Sequence, residues 1–207
     1  MIRLSFLLTA LSLLSLTSCT TTSEVSLDYV PNPGHVQLGA AEFSTQPFVD
    51  RRDMGAMELG MVRTQIGTPI EKVLTKVPIA SVVSNAFAYG LQGRGMLAAR
   101  SAARFIITGE VLDLHCQLLI HPYGYAKVRV NVLEADSGRI IHSAIYEGER
   151  QSSAYVPGSG TPVPALRDLT SGALQDAVDR ALDDQAMRSK CSGGRSGETS
   201  GWQPGMI

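Results

Sequence analysis

Three cysteines, four histidines and one dense charge cluster supply most of the reactive side chains in this 207-residue sequence. His115, Cys116 and His121 invite a metal site. Adjacent residues of a strand point to opposite faces, so His115 and Cys116 do not share an ion. His115 and His121 have the same parity, yet six residues of continuous strand hold them about 20 Å apart. A turn before His121 would bring the imidazoles closer, but zinc would still lack a third ligand. No metal and no cofactor is expected. Nucleophilic catalysis finds no support either. Gly158-Ser159-Gly160 lacks the G-x-S-x-G elbow pattern, sits in a Pro/Gly loop, and has no sequence cue bringing His142 near Ser159. The run GLQGRG (90–95) has phosphate-loop glycines but ends a helix, so no helix N-terminus faces a ligand. The reading is a non-enzyme.

Binding chemistry is better represented. Asp50-Arg51-Arg52-Asp53 is the densest charge group in the chain. It could offer a fork of donors to a partner's carboxylate or phosphate. In the alternative, Arg52 bonds Asp50 or backbone carbonyls and closes a solvated turn. The loop QSSAYVPGSGTPVP (151–164) carries Tyr155, and long loops with an aromatic serve as contact sites as well as connectors. Asp50, Arg52 and Tyr155 are therefore the candidate partner-binding residues.

Cys19 follows a different logic. Arg3 and the apolar run Leu4 to Leu16, about 13 residues, form an export signal too short to span a bilayer, which takes roughly 20. No later segment is apolar for long enough to cross. The signal ends Leu16-Thr17-Ser18-Cys19, which resembles the bacterial lipobox. That resemblance implies a diacylglycerol thioether on Cys19, cleavage after residue 18 and a further acyl chain on the new amine. A thiol is required because the thioether forms on a nucleophilic side chain. Two or three chains make anchoring stable where one is marginal. Thr20 stands where an Asp would signal inner-membrane retention in enteric-type bacteria, so the resemblance favours the periplasmic face of the outer membrane. Cys116 and Cys191 remain. They could pair in an oxidising compartment, while a strand position for Cys116 favours a free buried thiol.

A net charge of −1 and 6% aromatic residues give neither a field nor stacking platforms for nucleic acid.

The elements that must position these groups read as one α+β domain over 27–188. A lipidated tether (19–26) precedes it and a Gly/Ser-rich disordered tail (189–207) follows. Ile79, Val82, Val83, Ala86, Phe87 and Leu91 fall on one helical stripe, with Pro78 in the first turn. A second helix is expected from about Pro164 to Met187, with Asp168, Asp176, Asp179 and Asp183 facing away from the core. Arg104 to Ile120 reads as strand. Val128, Val130 and Val132 alternate with polar residues, Asp136-Ser137-Gly138 turns, and Ile140 to Glu147 returns. Earlier strands are expected over Val36 to Phe48 and near Val62 to Ile66. The order β-α-β-β-β-α predicts a mainly antiparallel sheet with two helices packed on one face.

The lipobox, LDYVPNPG (27–34), FVDRRDMG (48–55), the helix at 78–92, the strand holding Cys116 and Tyr146-Glu147-Gly148 together resemble the YajG-type bacterial lipoproteins. The resemblance implies a small envelope lipoprotein with an α/β sandwich and no catalytic signature. The expected role is a lipid-anchored periplasmic accessory protein with an envelope protein partner. The alternatives are a carrier of a small lipid or glycan and an auxiliary lipoprotein of an envelope transport system.

Overall fold

A computed structural model describes residues 20–31 and 40–192. The export signal, Cys19, part of the Val36–Phe48 segment and the tail after Ser192 lie outside the described residues. In chain order the elements are β1 (Thr21–Val25), β2 (Phe43–Thr45), β3 (Val49–Asp50), β4 (Glu58–Arg63), β5 (Pro69–Thr75), α1 (Ile79–Gly93), β6 (Phe105–Leu118), β7 (Pro122–Glu134), β8 (Ile140–Gln151), α2 (Val163–Leu182) and α3 (Gln185–Ser192).

The alternation read in the sequence makes the long central strands. Along β7, Ala126, Val128, Val130 and Val132 are fully buried, while Lys127, Arg129 and Asn131 stand on the other face. β6, β7 and β8 form an antiparallel meander, and Gly138 closes the β7–β8 turn at φ 67°. Positive φ favours glycine there because it has no Cβ to clash. β2, β3 and β4 run parallel to successive stretches of the other edge of β6. β5 pairs antiparallel with β4, and β1 closes the sheet parallel to β5. The order is β1-β5-β4-β6-β7-β8, an eight-stranded, mostly antiparallel sheet with parallel pairs on one side. This is the α+β class expected.

Both long helices cover one face. α1 buries Ile79, Val83, Phe87 and Leu91, and Phe87 stacks on Phe48 with ring centroids 4.8 Å apart. α2 buries Leu166, Ala173, Leu174, Ala177, Val178 and Ala181. Each large side chain removed from water contributes about 1.5–3 kcal/mol before ordering costs. α2 comes close enough to touch the sheet with its backbone. A Cβ on Gly148 would lie 2.0 Å from the Ala173 carbonyl oxygen, and one on Gly124 would lie 2.6 Å from Thr170 N. Glycine in β7 and β8 is therefore what lets the helix seat.

Several boundaries differ from the sequence reading. Five described strands precede α1, so the expected order β-α-β-β-β-α does not hold. The strand expected near Val62 to Ile66 is β4, Glu58–Arg63, and within the segment expected over Val36 to Phe48 the described strand is the short β2. The supposed tether is β1, so the sheet begins at Thr21, not Leu27. β5 was not anticipated at all. The long second helix breaks at Asp183-Asp184, where Asp184 Oδ1 accepts from Ala186 N (2.7 Å) and caps α3. Residues 189–192, expected in the tail, are helical, and Cys191 is buried.

The directions of the strands gather several segments at one end of the sheet. β4 ends there and β5 begins, β6 turns into β7, β8 ends, and α2 starts. The chain enters β1 at the same end, where Thr21 Oγ1 donates to Ile70 O at 3.2 Å.

Candidate functional site

The sequence-derived candidates fall in two places. Asp50 ends β3 opposite Val111, and Arg52 turns back beneath it. The Arg52 side chain is only 2% exposed. Nε and Nη2 clasp Asp50 at 3.0 and 2.9 Å. Nη1 donates to Glu58 O (2.7 Å) and Leu114 O (2.9 Å), and Nη2 also to Gly55 O (3.3 Å). All five guanidinium donors are thus engaged. Burial opposes ionisation of Asp50, but the bonds from Arg52 outweigh it and hold the carboxyl below its usual range. Arg52 has no donor to offer a partner: the pair ties the loop after β3 to β4 and β6.

Tyr155 lies elsewhere. From Val111 to Leu118 along β6 is about 23 Å at 3.3 Å per residue, so the two candidates form no common site. Tyr155 N bonds Ile120 O at 3.0 Å, and its hydroxyl donates to Gly160 O. Its ring lines a groove of about 470 Å³ between the β4–β5 turn, the β6–β7 turn and the loop leading to α2. The walls are chiefly apolar, among them Ile66, Ile70, Leu119 and Ile120. Ile66 is 90% exposed and Ile120 50%.

His115 and Cys116 point to opposite faces. His115 Nδ1 meets Asp113 at 2.8 Å and its ring stands 5.8 Å from those of Tyr123 and Tyr125 on the uncovered face. Cys116 is buried against α2, where burial pushes its thiol up to about 12. Cys191 is buried as well, its thiol pushed up to about 11, and feels the charges of Glu42 and Arg104 near the start of β6. Both thiols are free. Among the described residues no three His, Cys, Asp or Glu side chains gather as a metal site. Ser159 bonds Val156 O within its own turn, at the end of the sheet opposite to His142.

The sequence reading missed one ionic cluster. Arg94 follows α1 and is 2% exposed, yet all five of its donors are satisfied. Nε and Nη2 fork onto Asp183 (3.0 and 2.7 Å), and Nη2 also reaches Asp179 (3.1 Å). Nη1 donates to Tyr29 Oη and Gly90 O, both at 3.2 Å. Tyr29 in turn donates to Asp179 at 2.6 Å. Burial alone would lower the Arg94 pKa, but bonds to Asp183, Tyr29 and Asp179 outweigh it and hold the group protonated. Burial and the bond to Asp179 raise the Tyr29 phenol. Asp179 and Asp183 therefore join α2 to α1 and to the segment after β1. Their i, i+4 spacing opposite an arginine between two glycines was the available signal.

His142 is a second buried polar group, 6% exposed under α3. Tyr146 donates to Asp184 Oδ2 (2.6 Å), so His142 Nε2 donates to the phenol oxygen (2.9 Å) and buried Nδ1 has no partner among the described residues. Burial disfavours the second proton and Lys190 adds to this, while Asp184 opposes it. The net pKa falls below the usual 6.5. In this window the unfolded chain binds more protons than the native one, so stability is full above about pH 6.5 and declines below it. Asp50 and Asp184, held below 3.8, add losses only at lower pH. Urea midpoints should fall from pH 7 to pH 5, and His142→Phe should flatten that slope. An unchanged slope in the variant would contradict this assignment.

No protein-family model and no curated protein matches the chain. Solved structures do. Protein XCC0632 from Xanthomonas campestris, of family model DUF330, is 14% identical, with a TM-score of 0.61 over 84% of this chain and 99% of that one. The PelC dodecamer from Paraburkholderia phytofirmans is 14% identical, with a TM-score of 0.41 over 69% and 90%. Lipoprotein GNA1162 from Neisseria meningitidis is 13% identical, with a TM-score of 0.29 over 62% and 96%. The likeness to XCC0632 is one of fold, and a fold alone does not fix a function.

Proposed function

We propose that this chain is a lipid-anchored accessory lipoprotein of the bacterial envelope, of the YajG type, acting by binding and not by catalysis. Acyl chains on Cys19, palmitate being the ordinary choice, hold it at the periplasmic face of the outer membrane after its export signal is removed. One observation carries the reading: Leu16-Thr17-Ser18-Cys19 stops two residues short of the first strand at Thr21. No described helix is long and apolar enough to cross a membrane. The fold shared with XCC0632 supports a small domain of this kind.

A protein partner from the envelope would use the uncovered sheet face, where Tyr123, Tyr125 and the 46%-exposed Ile145 stand, or the loop around Tyr155. The carrier reading is less well supported. It places a lipid or glycan between helices and sheet, where Leu166, Leu174, Val178, Val128 and Val130 are each at most 1% exposed in one core.

In cells, Cys19→Ala should move the protein from the membrane pellet to the soluble fraction without changing its fold. The variant remaining in the pellet would count against the anchor.

A further inference from the structure

We infer that the groove end of the sheet is a membrane-docking face, seated on the same bilayer that takes the acyl chains of Cys19. The inference rests on the anchoring reading and adds an orientation to it. Thr21 already sits in the sheet, bonded to the backbone of Ile70. Two residues of chain reach at most about 7 Å, so Cys19 cannot stray further than that from Thr21. A lipidated cysteine lies at the boundary of the hydrocarbon, and the polar interfacial layer is only about 5–7 Å thick on each side. The start of β1 must then lie in or against the headgroups, and whatever surrounds it faces the membrane.

Much of what surrounds it is apolar, beside Arg63, Gln65 and Glu71 of the same groove. Ile70 (46% exposed) is the immediate neighbour of Thr21, and Ile66 (90%) tips the β4–β5 turn. Leu119 (44%) and Ile120 (50%) tip the β6–β7 turn, and Val156 (66%) stands on the adjoining loop. Large aliphatic side chains on three neighbouring tips, continuous with the open groove, make an exposed patch of the kind that marks membrane contact. The opposite end is more polar: its β7–β8 turn is closed by Glu134, Ser137 and Arg139, which bond one another, and among the described residues Ile140 (56%) is a lone exposed aliphatic beside that turn rather than part of a groove. Anchor and patch thus share one end of the domain. The proposed partner surface on the open sheet face then stands upright from the bilayer.

The test uses the full-length lipidated protein with Trp202→Phe, reconstituted in phosphatidylethanolamine/phosphatidylglycerol vesicles that contain brominated acyl chains. A single tryptophan is placed by Ile120→Trp, by Ile66→Trp at a side chain already exposed, or by Ile140→Trp at the far end as reference. Fluorescence at 120 and 66 should be quenched at least threefold more than at 140. Equal quenching at the three positions, in protein that floats with the vesicles, would overturn docking and leave the anchor standing. Protein that fails to float would overturn the anchor, and docking with it. Quenching that persists in detergent after the vesicles are dissolved and lipid removed would show a retained free lipid in the groove, and would also overturn docking.

Discussion

Gly148→Val is expected to destabilise the domain by about 3 kcal/mol or more, although valine is the better strand residue by intrinsic preference. Local propensity alone would forecast a gain of up to about 1 kcal/mol. Contact reverses the sign. The new Cβ would fall 2.0 Å from Ala173 O and 2.9 Å from its carbonyl carbon, and both are helix backbone, which no rotamer change can move aside. To relieve the clash α2 must lift from β8, which uncovers Ala173, Ala177 and Ala181 along its seat. A loss of this size should lower the thermal midpoint by about 6–12 °C for a domain of this length. A midpoint within about 2 °C of the parent would mean that α2 does not rest on this glycine.

Arg94→Leu should cost about 3 kcal/mol. Removing one partner of a buried ion pair strands the other, which typically costs 3–5 kcal/mol. Here Asp179 and Asp183 keep 24% and 28% exposure, so water partly rescues them and places the loss at the low end. The effect should also be local. Tyr29 loses Arg94 and keeps only Asp179, so the segment after β1 should become sensitive to protease before the rest of the domain unfolds. Arg94→Lys should recover little, because an ammonium cannot fork onto Asp183 while reaching Tyr29, Asp179 and Gly90 O. Parent-like urea midpoints and protease resistance in Arg94→Leu would show that the cluster is ornamental to the fold.

These two sites show where sequence reading stops. Central strands and both long helices were legible because one buried face imposes period 2 or 3.6 on the apolar residues, as in Val128-Val130-Val132 and in the stripe from Ile79 to Leu91. β1 gave no such signal. It is an edge strand in which only Val25 is buried, so TTSEV looks like a polar tether. β5 opens on a proline, and its buried residues, Val73 and Thr75, come at its end. Parallel pairing of β1 with β5, or of β2 to β4 with β6, depends on contacts far apart in the chain, which periodicity does not encode. The acidic residues of α2 read as solvated because charge usually faces water. Asp179 and Asp183 depart from that rule only because Arg94 closes over them.

The candidate residues divide in the same way. Asp50 and Arg52 stood out as charges and prove to be a loop clasp. Tyr155 stood out as an aromatic in a long loop, but the groove it lines was invisible, since the turns at 64–68 and 119–121 meet it only through the strand order. Placing β1 two residues after Cys19 was equally unreadable from local sequence, yet it gives the proposed anchor its structural consequence. In the proposed reading almost no tether separates Cys19 from β1, so acyl chains on that cysteine would move with the folded domain as one body.

The most direct measurement is the mass of the N-terminal peptide released from protein purified out of its native membrane. It should begin at Cys19 and carry a diacylglycerol thioether with a further acyl group on the amine. A peptide that begins elsewhere, or a Cys19 thiol recovered free, would contradict the account.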